Sequence, residues 1–259
     1  MTEPHTDELR GPVSEVLGVG IHAITYPALC KKIDDWIRNQ SPTKFCCYVN
    51  PHSIVMTSDD STFQAAIQSA DLVMADGAGV ILASKILGLP IRERVSGPTS
   101  MLKVIEFGSD RDFKHYFFGA SRECLEKLSQ NIEAEFPSAM IVGAESPPFR
   151  PVTDEENNAM IRRINESGAN VLWVGLGAPK QEKWILENRD KLDVSVALAV
   201  GAAFDYHAGL VKWAPTWIRR LGLEWAYRFV QQPKRLLRRN LNSFVFLTRV
   251  LGSRFSKAK

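Results

Sequence analysis

Four polar side chains follow apolar runs in the chain. They are Asn50 after Phe45–Val49, Asp76 after Leu72–Ala75, Gln181 in the segment after Val171–Gly175, and Asp205 after Val194–Val200. A carboxylate takes a proton from an attacking hydroxyl when it lies within hydrogen-bond reach, which makes Asp76 the candidate general base. Asn50 and Gln181 carry amides, which hydrogen-bond sugar hydroxyls or a uracil ring without adding charge. Asp205, in Gly201-Ala202-Ala203-Phe204-Asp205, suits either a second carboxylate at the site or the cap of a local turn. Arg92 and Arg94 suit a diphosphate, because guanidinium groups contact phosphate bidentately. Beside Glu93 they equally suit a solvated charge pair.

The local order around Asp76 is informative. In Ala75-Asp76-Gly77-Ala78-Gly79 an apolar run stops at a carboxylate, and an apolar helical segment follows. That order predicts a buried strand, a tight turn and a helix N-terminus. Gly77 and Gly79 let backbone approach a phosphate or sugar, and the helix N-terminus favours anions. Asp-Gly is also an ordinary turn pair, so the motif alone leaves a plain turn open. The Gly175-Leu176-Gly177 turn repeats part of a dinucleotide fingerprint, but position 180 is Lys180 where a third glycine is needed, which argues against a nicotinamide site. No phosphate-loop lysine, serine nucleophile elbow or metal-holding Asp-x-Asp pair is present.

Positioning such residues requires a sheet whose strand ends converge. The chain alternates apolar strands with helical segments: strands near Val16–Ile24, Phe45–Val49, Leu72–Ala75, Lys114–Gly119, Met140–Gly143, Val171–Gly175 and Val194–Val200. Helices are expected from Pro27 to Arg38, after Pro51, up to Ser69 behind Asp59 and Asp60, from Val80 to Leu87, and after Pro98. Others follow at about 121–136, at 154–167 behind a Thr153–Glu156 capping box, and on to about Arg189. Apolar strands between helices predict an α/β fold: a mostly parallel, Rossmann-like sheet with helices on both faces. In such a sheet, ligands bind at the carboxyl ends of the strands.

Composition divides the 259 residues into a leader, residues 1–14, a core, 15–211, and a C-terminal appendage, 212–259. The appendage carries twelve Lys and Arg against one acid, Glu224. A balance of about +11 there sits on a body of about −8 within a net charge of +3. Trp213, Trp217, Ile218, Leu221, Trp225, Phe229 and Val230 form an aromatic-rich stripe, Pro233 separates two helices, and Phe244 to Leu251 adds another apolar face. A basic amphipathic segment of this kind suits an anionic membrane surface. It also suits a helical hairpin packed on the sheet or on a second subunit, and self-association stays open.

Cys30, Cys46, Cys47 and Cys124 lack CxxC spacing and read as reduced core thiols of a cytoplasmic protein. The five histidines form no metal motif, and no metal or cofactor is expected. The polar N-terminus lacks the order of a signal peptide, and no run of 18 uncharged apolar residues is present.

Six segments in order, VNPHSIV, ADGAGV, ERVSG, GLGAPKQEKW, VGAAFDYHAG and LEWAYRFVQQPKRLLRRN, carry a resemblance from about Leu17 to Leu251. The chain resembles the WecG/TagA/CpsF family of bacterial glycosyltransferases. The resemblance implies a metal-independent, inverting transfer from a UDP-sugar to a polyprenyl-diphosphate-linked sugar. It implies work at the inner face of the cell membrane, in cell-surface polysaccharide synthesis, with an appendage that contacts the membrane and completes the site. By the same resemblance, Asp76 falls on the proposed catalytic base, and Asn50, Arg94, Gln181 and Asp205 fall on pocket residues; Gly77, Gly79 and Gly177 are expected beside them as substrate-binding positions. Arg228, Arg235 and Arg238 fall on appendage arginines that meet the diphosphate. Tyr48 replaces a threonine common two residues before the asparagine, and Thr99 replaces a common aspartate. Both departures bear on sugar identity more than on reaction type. The rival readings are a nucleotide-sugar epimerase or dehydrogenase, and a non-enzymatic adaptor for membrane or nucleic acid. The first lacks its glycine fingerprint, and the second leaves the strand-end polar residues unexplained. Nucleic acid is not an expected partner.

Overall fold

The computed structural model describes residues 12–215, 218, 224–231 and 233–257. The side chains of residues 224, 225, 228, 233–240 and 255–257 lie outside that description. The apolar runs form the strands β1 (Val13–Val16), β2 (Val19–His22), β3 (Lys44–Val49), β4 (Leu72–Ala75), β5 (Lys114–Gly119), β6 (Met140–Glu145), β7 (Val171–Gly175) and β8 (Val196–Ala199). They make one eight-stranded sheet in the order β1-β2-β4-β3-β8-β7-β5-β6. All pairings are parallel except β1 with β2.

The single strand expected over Val16–Ile24 is instead this antiparallel hairpin, closed at Leu17-Gly18, with Val13 paired to His22. The Leu17-Gly18 pair breaks the run into two strands that fold back on each other. Strand β1 thus begins within the stretch expected as a leader. The rest of that stretch, residues 1–11, lies outside the described residues.

The helices are α1 (Tyr26–Arg38), α2 (Pro51–Met56), α3 (Ser61–Ser69), α4 (Ala78–Leu87), α5 (Gly97–Gly108), α6 (Arg122–Glu135), α7 (Asp154–Glu166), α8 (Lys180–Asn188) and α9 (Ala203–His207). Two more follow in the appendage, Glu224–Gln231 and the C-terminal helix Pro233–Lys257, divided at Pro233 as expected. Local chemistry fixes many starts. Asp60 caps α3, and Thr153 with Glu156 forms the capping box of α7. Gly88 ends α4 in the left-handed conformation. Helix α9 is an addition to the sequence reading, which had only a turn after Gly201.

Side chains alternate along β3 and β4, and the two rows feed two cores. Cys47, Val49, Val73 and Ala75 pack with apolar residues of α2, α3, α4, α7, α8 and the C-terminal helix. Cys46, Tyr48, Leu72 and Met74 pack with α1, α5, α6 and α9. The result is three layers with the sheet between. The four cysteines are buried free thiols. Among the described residues, no helix is long and apolar enough to cross a membrane.

Candidate active site

Strands β4, β3, β8 and β7 are neighbours, so their carboxyl ends lie side by side. Tyr48 is in register with Met74, and Val49 with Ala75. One step further along the two strands come Asn50 and Asp76. The Asp76 backbone N–H donates to the Val49 carbonyl at 2.8 Å, which extends the ladder into the turn.

Asn50 is the N-cap of α2. Its Oδ1 accepts from the backbone N–H groups of His52 and Ser53 at 3.0 and 3.1 Å, and Ser53 Oγ bonds back to the Asn50 backbone N–H at 2.7 Å. This reciprocal box uses the amide oxygen and leaves the Nδ2 donor as the group that can serve a ligand. Gly77 adopts φ 102°, a conformation that a side chain rarely tolerates, and so lets the chain leave β4 and enter α4 at once. A Cβ on Gly79 would stand 2.5 Å from Pro51 Cγ. Gly79 is therefore needed for the close approach of α4 to the first turn of α2.

Arg94 is held by the residues after it. The Val95 N–H donates to the Ala75 carbonyl at 3.0 Å, and the Ser96 N–H donates to the Tyr26 hydroxyl at 3.0 Å. Between these anchors and the end of β4, Arg94 Nε lies 3.6 Å from Asp76 Oδ1, with both side chains partly open to solvent. A carboxylate and a guanidinium thus share the carboxyl edge of the sheet. Thr99 accepts from Ser96 Oγ at 3.1 Å, inside the same network. Tyr48 is buried beneath this edge. Burial pushes its hydroxyl well above the ordinary value, the Ser100 side chain opposes that rise, and the Asp76 charge adds to it. Neither the Tyr48 nor the Ser100 hydroxyl completes a hydrogen bond of acceptable geometry.

Gln181 takes a different place from the one its amide suggested. It is buried, its Oε1 accepts from the Gly177 N–H at 3.1 Å, and its Nε2 donates to the Ala199 carbonyl at 3.0 Å and to Glu182 Oε1 at 2.9 Å. Both N–H donors are used inside the protein. Gln181 ties the Gly177 turn to the end of β8. The Gly177 N–H that a dinucleotide phosphate would need is taken by this side chain. Next to it, Glu182 is buried with Oε2 lacking a partner, and burial pushes its carboxyl up to about 7.

Asp205 lies in α9 with Oδ1 3.9 Å from Cys124 Sγ of α6. Burial, with the Asp205 charge beside it, pushes the Cys124 thiol up to about 11. The structure thus gathers Asn50, Asp76, Gly77 and Arg94 at one edge, buries Gln181 between the Gly177 turn and β8, and turns Asp205 toward α6. The side chains of Arg228, Arg235 and Arg238 lie outside the described residues, although all three positions are helical. Among the described residues, no group of three His, Cys, Asp or Glu stands ready to hold a metal ion.

The sequence reading missed how the appendage is seated. Asn242 Nδ2 of the C-terminal helix lies 2.9 Å from His52 Nδ1 of α2, Arg249 donates to Ser58 Oγ at 3.0 Å, and Phe246 and Val250 are fully buried. An amide on a stripe of buried apolar residues was the available signal. As residue numbers rise from 242 to 249, the contacts move from the first turn of α2 to just past its end. The C-terminal helix therefore runs in the same direction as α2. Its first half projects beyond the α2 N-terminus, past Asn50, at the carboxyl edge of the sheet. Arg238 and Arg235 precede Asn242 by four and seven residues in the same helix.

Comparison with known proteins places this arrangement. A family model described as glycosyl transferase WecG/TagA/CpsF family matches residues 14–259. A relative from Bacillus spizizenii, N-acetylglucosaminyldiphosphoundecaprenol N-acetyl-beta-D-mannosaminyltransferase, is 28% identical over 221 residues, covering 85% of this chain and 84% of its own length. A Staphylococcus aureus protein of the same name is 26% identical over 247 residues, covering 95% of each chain. The family match spans nearly the whole chain, and the conclusion is direct: the chain belongs to the WecG/TagA/CpsF family of glycosyltransferases.

Proposed function

We propose that this enzyme transfers a sugar of the N-acetylmannosamine type, or a related hexose, from a UDP-sugar to a polyprenyl-diphosphate-linked sugar, with inversion and without a metal ion. The observation that carries the reading is the Asp76–Arg94 pair at the carboxyl edge of the sheet, 3.6 Å apart and partly open to solvent. The acceptor class is supported by the names of the relatives, which act on a diphosphoundecaprenol-linked N-acetylglucosamine.

In this reading the acceptor hydroxyl attacks the anomeric carbon from the face opposite UDP. The new glycosidic C–O bond forms as the bond to the UDP oxygen breaks, and UDP leaves with the electron pair. The hydroxyl proton passes to the Asp76 carboxylate. Asn50 Nδ2 and Arg94 orient the sugar and phosphate groups. Arg228, Arg235 and Arg238 stabilise the charge that develops on the leaving diphosphate, the work a metal ion does elsewhere.

We infer attachment to the cytoplasmic face of the cell membrane, in the synthesis of a cell-surface polysaccharide. The basic appendage supports this, as do the exposed Leu241, Phe244, Val245 and Leu251 of the C-terminal helix. The test is a panel of UDP-sugars offered with a short-chain prenyl-diphosphate-N-acetylglucosamine and read by mass spectrometry, with and without EDTA. The expected result is one added sugar, from one donor in the panel, unaffected by EDTA. No product with any donor overturns the reading, and loss of product in EDTA overturns its metal independence.

A further inference from the structure

Among the described residues, the C-terminal helix meets the core through an apolar stripe with a polar contact near each end of it, Asn242 on His52 and Arg249 on Ser58. Phe246 and Val250 enter the core shared by α2 and α4. One turn before Phe246, Asn242 Nδ2 lies 2.9 Å from His52 Nδ1. Apolar contacts hold a helix against a surface but tolerate sliding and rotation, because they are not directional. A hydrogen bond at fixed distance sets register and rotation.

His52 is well placed for that task. Its backbone N–H is one of the two that the Asn50 side chain caps, at 3.0 Å. The ring therefore grows from the turn that fixes Asn50. Pro51, between them, packs against Gly79 of α4, where an added Cβ would stand 2.5 Å away. The Asp76-Gly77 turn, the first turn of α2 and the Asn242 position form a continuous chain of close contacts. Beyond Asn242 the helix continues back to Pro233, through Arg238 and Arg235.

We propose that His52 and Asn242 form a latch that sets the register of the C-terminal helix and so aims its arginine-bearing first half at the diphosphate site beside Asp76. They are positioning residues, since they act through the arginines and not on substrate. The inference rests on the glycosyl-transfer reading for what the arginines meet, and on the structure alone for the latch.

The test uses full-length His52→Ala, Asn242→Ala, the double variant and His52→Asn. In the last, the asparagine oxygen occupies the place of Nδ1 and can accept from Asn242. UDP binding is followed by calorimetry, steady-state kinetics by product formation, and backbone order by hydrogen exchange. Each alanine variant is expected to weaken UDP binding and raise the donor KM about five- to tenfold, with kcat at saturation within about twofold, because bound UDP draws the helix back into register. The double variant matches the singles, and His52→Asn restores most of the affinity. Amides of residues 233–241 exchange faster while those of β3 and α5 keep their protection. A packing role alone predicts a lower Tm and faster exchange throughout, with no selective change in KM. Unchanged UDP affinity with unchanged exchange at 233–241, or additive losses in the double variant, overturns the latch. Wild-type enzyme that binds no UDP overturns the glycosyl-transfer reading instead, and the exchange comparison then judges the latch alone.

Discussion

Arg94 reaches Asp76 from a loop whose next two residues, Val95 and Ser96, are tied down, and the two side chains end 3.6 Å apart at the sheet edge. As a stability element the pair is worth little, about 1 kcal/mol or less, because both groups are partly solvated. In the proposed glycosyl transfer its value is functional. Arg94→Ala is expected to lower kcat/KM about 100-fold with a Tm change of only a few degrees. Arg94→Lys keeps the charge but loses the planar fork, and recovers only part of the loss. Steady-state kinetics beside calorimetry check both.

Asn50 separates capping from recognition. Asn50→Ala removes the α2 cap and costs about 1 kcal/mol of stability as well as activity. Asn50→Asp keeps an oxygen for the His52 and Ser53 N–H groups but loses the Nδ2 donor and brings a second charge near Asp76. It is expected to hold Tm within about 2 °C of wild type while activity falls at least tenfold. Thermal unfolding and turnover on the same preparations distinguish the two effects.

The Glu182 carboxyl makes a pH prediction. Its native pKa is raised to about 7 from 4.5, with burial as the leading cause. Between those values the native state keeps a proton that the unfolded chain has lost. Stability therefore falls as pH rises from about 4.5 to about 7 and levels off above, a change on the order of 3 kcal/mol. Glu182→Gln removes that slope. Urea unfolding at pH 5.5 and 8 is expected to show a smaller difference for the variant than for wild type.

Membrane contact is tested on the outer face of the C-terminal helix. Phe244 is 71% exposed and lies away from the buried Phe246 and Val250. Phe244→Asp is expected to weaken sedimentation with phosphatidylglycerol vesicles at least about tenfold without unfolding the core. Binding by the wild type is expected to weaken as salt rises. Equal binding by variant and wild type counts against this face as the point of contact.

Much of the fold was legible because its signals are local. Lys114–Gly119 and Val171–Gly175 are strands over the expected residues, and the Thr153–Glu156 box starts α7 as its spacing requires. The hairpin at Leu17-Gly18 was not legible, since two short strands joined by two residues look like one interrupted strand. Asn50 and Asp76 converge because parallel strands end on one edge, and Arg94 joins them because Val95 bonds back to the end of β4. The internal role of Gln181 was hidden, because an amide that binds backbone and one that binds sugar are the same residue in sequence. His52 and Asn242 are 190 positions apart, and only packing brings them together.

The central claim is that Asp76 removes the acceptor proton. Single-turnover transfer by Asp76→Asn, with UDP affinity measured in parallel, tests it most directly. The account predicts a chemical rate lowered about 100- to 10,000-fold, with UDP bound within about threefold of wild type. A single-turnover rate near wild type would contradict it.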